Sequence, residues 1–66
     1  MNEVTLAGRL LVTPAEAADA LGIGRTRVYE LMAAGTLSSV KIGRSRRIPV
    51  QALIEFVSAM AEQGAA

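Results

Sequence analysis

A chain of 66 residues with no cysteine and no histidine has room for one small domain, and it lacks the side chains for a disulfide framework or a Cys/His zinc site. Seven basic against six acidic side chains leave a net charge of +1, yet the charge is segregated: residues 1–24 carry a net −2, residues 25–47 a net +5 and residues 48–66 a net −2. A basic block between mildly acidic ones marks a localised anion-binding face and argues against a generally sticky polycation. No apolar run is long enough to span a bilayer, and the start "MNEVTLAGRLLV" lacks the basic-then-apolar order of a signal peptide. No membrane association, cofactor or small-molecule substrate is expected, and cytoplasmic residence is the default.

In residues 1–10 the apolar Val4, Leu6 and Leu10 are interrupted by Gly8 and Arg9, so this stretch reads as an N-terminal tail leading into a short extended piece over Leu10–Val12. "TPAEAADALG" is a helix. Thr13 suits the N-cap, Pro14 the first helical position, and Glu16 stands three residues after Thr13 to complete a capping box. Gly22 can take the left-handed geometry that ends it. Ala17, Ala18 and Leu21 form its apolar face. "GIGRTRVYELMAAG" is a second helix, beginning at Gly24 or Arg25, stopping at Gly35 and presenting Val28, Leu31 and Met32 on one face. Two short helices separated by a few residues with a glycine form a helix-turn-helix signature.

The period then changes. Val40 and Ile42 alternate with Ser39 and Lys41, Gly43 to Ser45 supplies a turn, and Arg46 to Ile48 returns as a second strand that Pro49 ends. Four of the seven basic residues, Lys41, Arg44, Arg46 and Arg47, sit on this hairpin. In the third helix, "PVQALIEFVSAMAEQG", Leu53, Phe56, Val57 and Met60 recur at helical spacing as a core-closing stripe, with Ile54 off it and Gly64 at its end. The fold class is mainly α with a small β-hairpin, a winged helix-turn-helix over residues 11–62, with a C-terminal tail at 63–66.

Helix, turn, helix, basic hairpin, helix is an order with a mechanical use on DNA. The second helix can enter the major groove with its N-terminal side chains at base edges, and the hairpin can lie on phosphates or reach a minor groove. Arginine, six of the seven cations here, offers a donor fork that matches phosphate oxygens or the guanine edge. Bland readings stand beside this one. Arg44, Arg46 and Arg47 could protect a strand edge from aggregation, but three arginines in four positions exceed that need. Lys41 could be an ordinary polar-face strand residue. Arg25 and Arg27 could be helix surface, but cations at a helix N-terminus oppose the macrodipole, and that cost favours a use. Thr26 could serve only local hydrogen bonding. Tyr29 is more often a part-buried residue with a wet hydroxyl. Glu30 could pair with a nearby arginine or accept from cytosine. An enzyme is excluded most clearly, since there is no His or Cys and no Walker-type glycine loop.

The stretch "LLVTPAEAADALGIGRTRVYELMAAGTLSSVKIGRSRRIPVQALIEF", and within it "AADALGIGRTRVYELMAAG" and "VKIGRSRRIP", resembles the excisionase family of small DNA-binding proteins with a MerR-type winged helix-turn-helix. The resemblance covers Leu10 to Phe56. It implies a phage- or plasmid-borne recombination directionality factor that binds, and bends, double-stranded DNA near an attachment site, with integrase and further copies of itself as partners. It puts Arg25, Thr26, Arg27 and Glu30 on the exposed side of the recognition helix and carries Tyr29 to a phosphate. The wing comprises Arg44, Ser45, Arg46 and Arg47, with Lys41 beside them. Two positions depart from the family's pattern: Gly24 stands where a serine often caps the second helix, and Arg46 where a large apolar residue is frequent. The alternatives are a stand-alone transcriptional regulator of the same fold and a protein-interaction module using the basic face.

Overall fold

The computed structural model describes residues 5–64. The elements in chain order are β1 (Leu11–Val12), α1 (Pro14–Leu21), α2 (Arg25–Ala33), β2 (Val40–Ile42), β3 (Ser45–Pro49) and α3 (Val50–Gly64). The start of α1 is fixed by its own side chains. The Thr13 hydroxyl accepts the Glu16 backbone N–H at 3.0 Å, and the Glu16 carboxylate accepts the Thr13 N–H at 2.8 Å. These two bonds satisfy two of the donors that a helix N-terminus leaves free. At the other end Gly22 takes φ 71°, and the N–H groups of Gly22 and Ile23 reach back to the carbonyls of Asp19 and Ala18. This left-handed cap turns the chain into α2 after only three residues. At the end of α2, Gly35 and Thr36 donate to Met32 and Leu31 in the same pattern.

The extended piece expected before α1 is a strand with a partner. β1 pairs antiparallel with β3, Leu11 opposite Pro49 and Val12 opposite Ile48, so the hairpin belongs to a three-stranded sheet of order β1-β3-β2. Pro49 ends β3 as its missing N–H requires, and the following Val50 N–H donates to the Leu10 carbonyl at 2.9 Å. Ser45 belongs to β3, opposite Ile42, where the sequence places it in the turn. The loop is therefore only Gly43 and Arg44. Of the two, Gly43 alone has positive φ, at 62°, the arrangement a two-residue hairpin takes when glycine is its first loop residue.

Every element except the β2 strand contributes to the core: Val12, Ala17, Ala18, Val28, Leu37, Ile48, Val50 and Leu53 are buried. Ala17 and Ala18 are small enough to let α2 cross α1 closely and bury Val28 completely. The stripe expected on α3 is half correct. Leu53 is buried and Phe56 partly so, whereas Val57 and Met60 are 50% and 48% exposed. A 15-residue helix is about 22 Å long, and its C-terminal turns outrun the elements it packs on.

Part of the expected N-terminal tail folds back. Leu6 and Arg9 exchange backbone hydrogen bonds of 2.9 and 3.0 Å, and the Arg9 guanidinium meets the Glu16 carboxylate at 2.6 Å. α3 continues through residues 63 and 64 of the expected C-terminal tail. The remaining tail residues, 1–4 (with Glu3 and Val4) and 65–66, lie outside the described residues.

Candidate nucleic-acid interface

α2 has one buried residue, Val28; Arg25, Thr26, Arg27, Tyr29 and Glu30 are all exposed. Tyr29, at 54% exposure, is further out than a part-buried core aromatic would be. Its N-cap, Gly24, offers no side-chain hydrogen bond and no acid stands in the first turn. The positive end of the helix dipole therefore meets two arginines with no side-chain cap or first-turn acid to offset them. At 3.6 residues per turn the helix has three working rows. Arg25, Tyr29 and Met32 follow one another at one-turn spacing. Thr26 and Glu30 look away from Val28 into solvent. Arg27 lies with Leu31 on the third row, beside Phe56, Val57 and Met60 of α3. Its guanidinium contacts the Glu30 carboxylate at 3.2 Å. With both side chains well exposed, that pair contributes about 0–1 kcal/mol.

The hairpin register sorts its charges onto two faces. Lys41 stands directly opposite Arg46, Ile42 opposite Ser45 and Val40 opposite Arg47. Cross-strand partners share a face and successive residues alternate. Ser39, Lys41, Arg46 and the buried Ile48 therefore lie on the inner face, continuous with the core, while Val40, Ile42, Ser45 and Arg47 lie on the outer one. Arg44 occupies the tip. The Arg46 guanidinium donates to the Ser39 hydroxyl at 3.0 Å, and Arg47, half-buried, donates to the Arg46 carbonyl at 3.0 Å. Among the described residues the ion pairs are Arg9–Glu16 and Arg27–Glu30, so Arg25, Lys41, Arg44, Arg46 and Arg47 have no carboxylate partner there.

The inner face of the hairpin meets the Tyr29 row of α2. Tyr29, Met32, Ala33, Ser39 and Arg46 line one open groove of about 350 Å³. The structure thus brings together Tyr29 and Arg46, with Arg25 one turn along the helix and Lys41 beside Arg46 across the strands. It places Arg27 on the opposite flank of α2, and Ser45 and Arg47 on the outer face of the hairpin. Ser39 escaped the sequence reading. Its signal was the alternation itself, since it precedes Lys41 by two and must share its face. Met32, on the expected apolar face of the helix, lines the groove together with Ala33.

No helix among the described residues is long and apolar enough to cross a membrane. The helix-turn-helix domain family matches residues 11–61. A protein of Saccharopolyspora erythraea named "Probable excisionase" is 48% identical over 62 residues, covering 92% of this chain and 63% of its own length. An "Excisionase" of Streptomyces ambofaciens is 38% identical over 53 residues, covering 80% of this chain and 84% of its own. The chain thus spans just under two thirds of the first relative and most of the second; no solved structure matches it. With the family match running from β1 into the last turns of α3, and both relatives matched across the two helices and the basic hairpin, the chain belongs to the helix-turn-helix domain family as an excisionase-type member.

Proposed function

We propose that the chain is a non-enzymatic, sequence-specific duplex-DNA-binding excisionase with a MerR-type winged helix-turn-helix. In this reading α2 enters the major groove, where Thr26 and Glu30 on its outward row, with Arg25 and Arg27 at its N-terminal turn, meet base edges. The β2–β3 hairpin is the wing and lies on the sugar-phosphate backbone or in the adjacent minor groove. The observation that carries the reading is the joint placement of five cations that have no carboxylate partner among the described residues, Arg25 on α2 and four on a hairpin that shares a groove with it. Clustered cations without carboxylate partners are unfavourable in the free protein and favourable beside a polyanion.

By analogy with the named relatives, the chain binds an attachment site of a phage or other mobile element in the bacterial cytoplasm. There it directs integrase toward excision and bends DNA as adjacent copies assemble. The exposed Ile54, Val57 and Met60 on α3 support a protein partner, since isolated small domains seldom leave such a row uncovered.

A salt titration of binding to an attachment-region duplex tests the core of this. If about four to six phosphates are neutralised, log K against log salt should have a slope of roughly −4 to −5. A flat dependence removes the electrostatic account, and equal affinity for attachment-region and unrelated duplexes removes sequence specificity.

A further inference from the structure

We infer that the groove between α2 and the β2–β3 hairpin seats a single DNA backbone phosphate, gripped by Arg46 and Lys41 from the hairpin and by the Tyr29 hydroxyl from the helix. The inference rests on the DNA-binding reading and adds to it how helix and wing are held in one pose. Lys41 and Arg46 are directly opposed on adjacent strands, where side chains stand about 4.5–5.5 Å apart and like charges repel. Among the described residues neither cation has a carboxylate, and Arg46 spends one of its five donors on the Ser39 hydroxyl. That bond makes Ser39 a positioning residue, holding the guanidinium at the groove mouth.

The groove itself offers the Arg46 guanidinium and the Tyr29 and Ser39 hydroxyls, and Lys41, opposite Arg46 on the neighbouring strand, adds an ammonium at its edge; all are donors or able to donate, which suits a phosphodiester's anionic oxygens. Glu30 and Thr26, which can accept from bases, lie on the outward row of α2, away from this groove. The groove volume of about 350 Å³ exceeds by far the roughly 30 Å³ share of a water molecule, so a phosphate fits with part of its hydration. One anion touched from both elements fixes their relative position on the duplex without reading sequence.

A shared phosphate makes a specific arithmetic prediction. Lys41→Gln, Arg46→Gln and the double variant are titrated with salt on two duplexes: one selected by the wild-type protein from a random pool, and a scrambled version of it. If both cations serve one phosphate, the double variant loses about 0.9 from the salt slope, the share of one phosphate; two separate phosphates would cost about 1.8. The affinity loss, about tenfold, should be equal on both duplexes, and the double variant should lose little more than Arg46→Gln does alone. Tyr29→Phe should weaken binding severalfold with the slope unchanged, because a neutral hydroxyl releases no counterion. Thermal midpoints of the charge variants should equal the wild type's or exceed it by a few degrees, since a like-charge pair has been removed.

A slope loss near 1.8 overturns the shared phosphate. So does a loss confined to the selected duplex, which would make Arg46 a base reader. Variants that bind like a DNA-binding wild type overturn the groove's role and leave the DNA reading standing. A wild type that binds no duplex removes both.

Discussion

α1 and α2 have eight and nine residues and are separated by three, yet they are stabilised in different ways. Helices this short do not persist alone, so each needs support. α1 carries its own: a capping box at one end, a left-handed glycine at the other, and Pro14, Ala17 and Ala18 buried. α2 has a glycine cap with no side-chain bond, two arginines against its own dipole, and Val28 as its single buried residue. α1 is a platform; α2 is held in place by its neighbours through Val28, with Leu31 and Met32 partly buried beside it, which frees its outward side for other work. The comparison explains why charge that would destabilise a lone helix is tolerated at Arg25 and Arg27. Their cost falls on an element anchored from outside.

The largest expected effect breaks that anchor. Val28 is wholly buried in the core, on a helix packed against α1, and Val28→Ala should destabilise the protein by about 2–3 kcal/mol, combining lost apolar burial with the cavity left behind. A urea midpoint that falls with unchanged m-value would register this. A loss below about 0.5 kcal/mol would mean that α2 is supported elsewhere and that the contrast with α1 is misdrawn.

Next is the cap of α1. Thr13→Ala removes the hydroxyl that accepts the Glu16 N–H, at an expected cost of about 1 kcal/mol. The same box gives a pH signature. The backbone N–H of Thr13 foremost, with the Arg9 charge assisting against some desolvation, holds the Glu16 carboxyl below its ordinary value. A carboxyl depressed in the folded state stabilises the fold above the unfolded-chain value of about 4.3 and loses that contribution as pH falls through the folded value. Wild-type stability should therefore fall more steeply below about pH 4.5 than that of Glu16→Gln. Parallel acid limbs in urea midpoints measured from neutral to acid pH would show that the box contributes nothing through ionisation.

The same division between self-supported and externally supported elements explains what could be read from the sequence. Thr13, Pro14, Glu16 and Gly22 state their roles within ten residues, because caps are local chemistry. The hairpin was visible from Val40/Ile42 alternation and from Gly43. What was missed depends on contacts between distant segments. Leu10–Val12 reads as extended from the sequence, but its pairing with Ile48 and Pro49, which makes Leu11–Val12 a strand of the sheet, does not. Leu37 sits in an irregular connection with no period to mark it, yet is 1% exposed beneath α2. Val57 and Met60 fit the α3 stripe perfectly well, but periodicity does not say where the domain beneath a helix stops. At the candidate interface the cations are evident as a group in the sequence. Their sorting into inner Lys41 and Arg46 and outer Ser45 and Arg47 needed the register, which turned on a loop of two residues rather than three.

The smallest expected effect sharpens the comparison from the other side, by giving α2 what α1 has. Gly24 already has extended geometry, φ −73° and ψ 156°, the conformation of Thr13 at the head of α1. A Cβ placed there meets nothing within 4 Å. Gly24→Ser can therefore add a cap without strain, and it should stabilise the fold by a few tenths of a kcal/mol, about 1–3 °C in thermal midpoint. The gain should appear as slower amide exchange in the first turn of α2 and leave α1 unchanged. Introduced into Thr13→Ala, the same substitution should add the same increment, because the two caps share no partner. A destabilised Gly24→Ser variant would mean that the first-turn N–H groups of α2 already have partners in solution, and α2 would then be as self-sufficient as α1.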